Sequence, residues 1–191
     1  WTWEPTARAV RAQALLPAGG ARNALDCALW DLRVQREHRS VAARLGVARP
    51  GPFPLLGTIG LAAPDAMADA AGRRRDWPVL KLKLGGGDGL DVERVRAVRA
   101  VRPDAELVVD VNGAWDPATL ERAAPKLADA GVRLLEQPLP PEADAALVPR
   151  GFPQPVCADE SCQQHGDLER CAERYAFVNI KLDKSGGLTE A

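Results

Sequence analysis

From Pro54 onward, short apolar runs alternate with longer amphipathic stretches at a nearly constant spacing. The runs cover 55–61, 79–84, 106–111, 132–136, 156–158 and 177–182, and are bounded by Gly, Pro or charged residues, so each reads as a strand. The stretches between them read as helices over 64–75, 88–101, 116–130, 142–148 and 167–174, with another beginning near Leu188. Pro64 and Pro117 suit first helical turns, and Asp116 suits an N-cap. Upstream the pattern differs. Ala24, Leu25, Ala28, Leu29 and Leu32 recur at helical spacing within 21–37, with Trp30 at the edge of the apolar stripe. A short helix over 40–45 ends at Gly46. The proline-rich stretch 49–54 then reads as a linker, which divides the chain into a helical part, 1–50, and a βα part, 51–191.

Six βα units with short loops and continuous apolar strands predict a parallel sheet covered on both faces. Two architectures satisfy this, a (β/α) barrel and a doubly wound sheet. In the doubly wound sheet, functional residues gather at one switch point. Here charged residues close strand after strand, so the expectation is an α/β fold of the TIM-barrel type. Such a barrel has eight strands and six are counted, so the barrel is expected to be partial and the chain to be a segment of a longer protein. On that reading the segment alone is expected to be poorly active.

Composition changes this picture little. The chain has 191 residues, a net charge of −1 and 46% hydrophobic residues, enough for a sizeable core. The charge balance argues against a nucleic-acid partner. No apolar run reaches the ~18 residues of a membrane helix, so no membrane partner is expected. Cys27, Cys157, Cys162 and Cys171 form no CxxC pair and read as reduced thiols of a cytoplasmic protein. His38 and His165 read as exposed loop residues, and Trp1, Trp3, Trp77 and Trp115 as packing residues. Gly85-Gly86-Gly87 lacks the ending of a phosphate loop and reads as a turn.

The strand ends carry the chemistry. Asp110, Glu136, Asp159 and Lys181 follow one another at 26, 23 and 22 residues, one strand-plus-helix unit per step. Three carboxylates converging at a barrel mouth cannot all stay ionised without a cation. An all-oxygen set suits a hard ion, Mg²⁺ first and Mn²⁺ second. Lys81 and Lys83, two apart on one strand, point to the same face, where each is expected to lower the pKa of the other. Lys181 lies four strands further on, halfway round an eight-membered ring, so Lys83 and Lys181 can face each other across a substrate. Lys184, beyond the strand end, reads as a rim residue. A metal between two opposed lysines suits proton abstraction next to a carboxylate, with return of a proton to the opposite face.

These motifs together resemble the enolase superfamily, muconate-lactonising subgroup. They are Lys81-Leu82-Lys83, Asp110-Val111-Asn112, Glu136-Gln137-Pro138, Ala158-Asp159-Glu160-Ser161 and Asn179-Ile180-Lys181. Within the subgroup, the stretches 21–32 and 178–191, with Gly57-Thr58-Ile59-Gly60, are most similar to dipeptide epimerases of the L-Ala-D/L-Glu type. The pairing of a lysine base with Mg²⁺ is a known property of that superfamily. The resemblance implies Lys83 and Lys181 as opposed acid/base residues working through an enediolate, with Asp110, Glu136 and Asp159 as Mg²⁺ ligands. It implies supporting roles for Lys81, Asn112 and Glu160 and a substrate contact for Thr58. It also implies that 1–50 is the end of an α+β capping domain, that the substrate is a dipeptide or N-acyl amino acid, and that a homo-oligomer is compatible. Cycloisomerisation, or dehydration of the o-succinylbenzoate synthase type, uses the same residues. An inactive fragment that retains the fold is the alternative from a different class.

Overall fold

The computed structural model describes residues 11, 13–48, 51–147 and 151–191. Trp1, Trp3, the start of the linker at Arg49-Pro50 and Val148 lie outside the described residues. The chain forms two compact units. One comprises Pro54–Ser161 with Glu169–Asn179, the other Trp1–Phe53 with Cys162–Leu168 and Ile180–Ala191.

The first of these holds the sheet. Its strands are β1 (Leu56–Ile59), β2 (Val79–Lys83), β3 (Glu106–Asp110), β4 (Val132–Glu136), β5 (Val156–Ala158) and β6 (Phe177–Val178). All pair in parallel, in the order β1-β2-β3-β4-β5-β6. Sequential order without reversal leaves no switch point, so the sheet winds as a barrel wall does and not as a doubly wound sheet. Three helices cross between the early strands: α3 (Pro64–Gly72), α4 (Asp91–Val101) and α5 (Pro117–Asp129).

Local chemistry sets these helices. Asp116 caps α5 by accepting from the Thr119 N–H at 2.6 Å, and Pro117 occupies the first turn, where its missing N–H costs nothing. Pro125 stands inside α5, yet the buried stripe Leu120, Ala123, Ala124 and Leu127 carries the helix past it. The core lies between helices and sheet, where Met67, Val95, Val98, Leu80, Leu82, Leu107 and Leu135 are fully buried.

The expected cover on both faces holds for β5 and the C-terminal ends of β3 and β4, but not for β1 and β2. In β2, Leu80 and Leu82 are buried, while Lys81 and Lys83 on the opposite face are only half-buried. β1 alternates in the same way. This sheet therefore has a face packed on helices and a face carrying charge.

Several expected elements differ. The helix over 142–148 is a 3₁₀ turn at Asp144–Leu147, because the Asp144 side chain is drawn into a buried network instead of capping a helix. The helix expected at 88 starts at Asp91, since Gly89 takes a left-handed φ of 77° and Asp88 turns to cap the Leu90 N–H. The helix over 167–174 is the shorter α6 (Leu168–Ala172). The last strand stops at Val178 rather than continuing to 182, and the helix near Leu188 is a turn.

The second unit contains α1 (Gly20–Arg36), α2 (Val41–Leu45), a 3₁₀ turn at His165–Asp167 and α7 (Leu182–Ser185). Ser40 caps α2 and Gly46 ends it with a φ of 70°. Gly186 and Gly187, with φ of 80° and 121°, end α7 after one turn and prevent the helix expected at 188.

Candidate metal centre

In a parallel sheet, residues in register present their side chains to the same face of neighbouring strands. Lys83 is in register with Asp110, and Asp110 with Glu136, so these three form one row across β2, β3 and β4. Glu136 is in register with Cys157, and Asp159, two residues on, returns to the same face just past β5. Lys81 joins the row one pleat earlier, in register with Thr58 of β1. The sequence thus places its charges by strand register alone.

The carboxylates of Asp110, Glu136 and Asp159 all converge, each offering an oxygen within 4.8 Å of the others. All three residues are buried, with exposures of 0%, 4% and 0%. Lys81 Nζ lies 2.9 Å from Asp110 Oδ2 and 2.6 Å from Glu136 Oε2. Lys83 Nζ donates to the same Asp110 oxygen at 2.7 Å. Asn179 Nδ2 donates to Glu136 Oε1 at 3.0 Å.

Burial alone pushes the Asp110 carboxyl up, but the Lys83 and Lys81 ammonium groups against it prevail and hold it below the usual carboxylate value. The expectation that the two lysines depress each other's pKa is overturned for Lys81. Burial lowers it, yet hydrogen bonds and charge from Glu136 and Asp110 more than offset that and leave it above an ordinary lysine. The reason is geometric: its partners are carboxylates rather than the neighbouring ammonium. Asp110 and Glu136 thus favour the charged form of Lys81.

The donor set fits a hard divalent ion. Mg²⁺–O bonds of ~2.1 Å put opposed oxygens about 4.2 Å apart. At most one pair among three ligands is opposed and the others stand about 3 Å apart, so oxygens within 4.8 Å of one another draw together to hold the ion. Among the described residues, this is the group of His, Cys, Asp and Glu side chains whose ligand atoms meet closely enough to hold a metal.

Asn112 has a left-handed φ of 51°, which turns its amide back over the site. Its Oδ1 accepts from Lys83 Nζ at 2.7 Å and its Nδ2 donates to Glu160 Oε1 at 2.8 Å. One side chain thereby ties a lysine to the acidic residue that follows Asp159. Thr58 lies exposed on β1. Lys181 falls in the other unit, exposed, at the N-cap of α7 rather than within a strand. His38 and His165 are exposed, and the four cysteines are free thiols, as expected. Trp115 is buried, its indole N–H bonded to Asp91 at 2.8 Å.

Sequence reasoning missed one layer. Gln137, fully buried with a strained φ of 35°, accepts the backbone N–H groups of Asp159 and Ser161 at 2.8 and 3.0 Å. Its Nε2 donates to Leu139 O at 2.8 Å, Ser161 Oγ at 2.8 Å and Tyr175 Oη at 3.1 Å. Tyr175 in turn donates to Asp144, which also pairs with Arg174 and, at 3.4 Å, Arg170. The one available signal was the position of Gln137 directly after Glu136.

Comparison with known proteins agrees with this geometry. The family model described as "Enolase C-terminal domain-like" matches residues 65–191. The L-Ala-D/L-Glu epimerase of Escherichia coli (strain K12) is 46% identical over 179 residues, covering 94% of this chain and 56% of that protein. The N-acetyl-D-glutamate racemase of Pseudoalteromonas sp. is 41% identical over 176 residues, covering 92% and 55%. A solved dipeptide epimerase from Cytophaga hutchinsonii, complexed with Mg and the dipeptide D-Ala-L-Val, superposes with a TM-score of 0.91 at 27% identity, covering 98% of this chain and 53% of that one. The chain therefore spans about half the length of the curated relatives it matches. With its parallel βα architecture, its row of strand-end charges and this match over most of its length, the chain belongs to the Enolase C-terminal domain-like family.

Proposed function

We propose that the protein of which this chain forms part epimerises or racemises an N-acylated amino acid, a dipeptide of the L-Ala-D/L-Glu type first, by moving a proton at the α-carbon. The observation that carries this reading is the row Lys83–Asp110–Glu136, closed by Asp159, which puts a lysine beside a site fit for a divalent cation. Two relatives support the substrate class by name, one acting on a dipeptide and one on N-acetyl-D-glutamate. Both substrates have an acyl nitrogen and a carboxylate on the carbon that inverts.

In this reading Asp110, Glu136 and Asp159 hold Mg²⁺, or Mn²⁺ in its place. The bound ion supplies positive charge for the substrate carboxylate, which acidifies the adjacent C–H. Lys81 remains an ammonium and balances the carboxylates. Lys83, oriented by Asn112, takes the proton on one face, and Lys181 exchanges a proton on the other. Glu160 fixes the Asn112 amide, and Thr58 contacts the substrate. Residues 1–50 are the end of a capping domain and 51–191 part of the barrel. The free thiols favour the cytoplasm, and no helix among the described residues is long and apolar enough to cross a membrane.

The test uses the intact protein in D₂O with Mg²⁺ and L-Ala-L-Glu. Solvent deuterium at the glutamate α-carbon of recovered dipeptide, with both epimers present, is the expected result. Cycloisomerisation closes a ring and dehydration loses water, so neither returns an epimerised dipeptide, and an inactive fold gives no exchange; any of these outcomes sinks the proposal.

A further inference from the structure

The two stretches that most resemble the dipeptide epimerases, 21–32 and 178–191, contribute no ligand to the cation site, yet most of their length falls within one unit and is hydrogen-bonded together there. Arg22, Asp26 and Trp30 stand four residues apart and form one stripe along α1. Arg22 and Asp26 are buried, at 7% and 1% exposure. Arg22 Nη2 donates to the Ser185 carbonyl at 2.5 Å. Asp26 accepts twice from Thr189, from its N–H at 3.0 Å and its hydroxyl at 2.5 Å. Trp30 Nε1 donates to the same Thr189 oxygen at 2.9 Å.

Backbone contact is close along this stripe. A Cβ at Gly186 would stand 2.2 Å from Arg22 Nε, and one at Gly187 would stand 2.4 Å from Asp26. Both glycines also hold positive φ, so no other residue fits either place without strain. The gripped segment leads directly back to Lys181. Ser185 N–H donates to the Lys181 carbonyl at 3.1 Å, and Gly186 and Gly187 N–H groups both donate to Leu182 O. One helical turn, α7, therefore lies between the stripe and the Lys181 backbone.

An apolar stripe packs a helix as well as a charged one, without burying two ions. What directed hydrogen bonds add is registry. We propose that Arg22, Asp26 and Trp30 are positioning residues that set Lys181 by gripping residues 185–189, so that α1 fixes the geometry of one of the two proton-transfer groups. This rests on the reading of Lys181 as an acid/base residue. The residues of the stripe act through the segment and not on the substrate.

In a two-base epimerase each lysine removes the proton of one epimer only, so the clamp can be read separately from the rest of the site. The experiment follows α-proton exchange into D₂O from each purified epimer, with Mg²⁺ affinity by calorimetry and the thermal midpoint recorded for every variant of the intact protein. Lys181→Ala identifies the epimer that depends on Lys181. Thr189→Val, which keeps the shape and loses the hydroxyl, is expected to slow exchange from that epimer about 10- to 100-fold and from the other less than about threefold. Mg²⁺ affinity stays at the wild-type value, and Thr189→Ser restores exchange. Trp30→Phe removes a single donor and is the milder variant should Thr189→Val fold poorly, with a smaller loss confined to the same epimer. Equal losses from both epimers, or no loss from either, overturn the clamp. If Lys181→Ala itself spares both epimers, the acid/base reading of Lys181 falls instead.

Discussion

Two clusters of buried polar side chains flank the ends of β4 and β5, and they are wired on opposite principles. In the first, Asp110, Glu136 and Asp159 gather their oxygens within 4.8 Å, and the ammonium groups of Lys81 and Lys83 lie against them. In the second, Gln137, Ser161, Tyr175 and Asp144 bond to one another and to the backbone, closed by Arg174. The first is a concentration of charge whose donor set suits a divalent cation. The second is self-satisfied. Gln137 joins them, because it follows Glu136 in sequence and holds the backbone of Asp159 by hydrogen bond. A site that must bind and release needs ligands held still by something that does neither.

Removing a member of the first cluster should abolish function and spare the fold. Asp159→Ala is expected to eliminate calorimetric Mg²⁺ binding and to lower turnover by about 10³-fold, several kcal/mol of transition-state stabilisation. Its shift in urea midpoint should be smaller than that of Gln137→Ala. If Mg²⁺ binds with unchanged affinity, the carboxylate cluster is not the metal site.

Gln137→Ala should hit both clusters. It strips the acceptor from the Asp159 and Ser161 N–H groups in a dry interior, at a cost of about 3 kcal/mol in urea unfolding. Mg²⁺ affinity should fall roughly 10- to 100-fold with it, although Gln137 offers the ion no ligand. A loss of stability with undiminished Mg²⁺ affinity would break the proposed link between the clusters.

Tyr175→Phe tests the second cluster alone. The lost hydroxyl bonds to Asp144, Ser161 and Gln137 predict a cost of about 1–2 kcal/mol and near-normal turnover at 25 °C. A large drop in turnover without loss of stability would give Tyr175 a chemical role.

The smallest effect is on pH dependence. Burial pushes the Tyr175 hydroxyl well above its ordinary value of 10.0, with the Asp144 carboxylate adding to the shift and the Ser161 and Gln137 contacts opposing it. The folded protein then keeps a proton that the unfolded chain releases. The stability tied to it is complete below pH ~10 and is lost progressively as the pH rises above that. The thermal midpoint of the native protein should decline more steeply above pH ~10 than that of Tyr175→Phe. Parallel declines would show that another group governs the alkaline limb.

Much of this was legible in the sequence because the fold repeats. Strand ends recur at near-constant spacing, and strand register then brings Lys83, Asp110 and Glu136 into one row with no further information. Asp116-Pro117 announced its helix through local chemistry that tertiary contacts did not need to override. The failures share a cause. Asp144 was read as part of a helix, yet long-range partners, Arg174 and Tyr175, decided its place. Lys81 was expected to be weakened by a neighbouring ammonium, yet the carboxylates of two other strands reversed the sign. Gln137 stands out in the sequence only as part of a motif, since nothing local reveals that its amide serves a loop 22 residues away.

The sequence by itself determined the βα succession, the charged strand ends and the chemical class of ion they suit, because periodicity and residue type act within a few residues of chain. Only the tertiary structure decided which carboxylates meet, that Lys81 sits against two of them and what holds Asp159 in place. It also decided that α1 grips the segment after Lys181 across 163 residues of sequence. Those outcomes depend on distances and dielectric surroundings that exist only once distant parts of the chain are packed together.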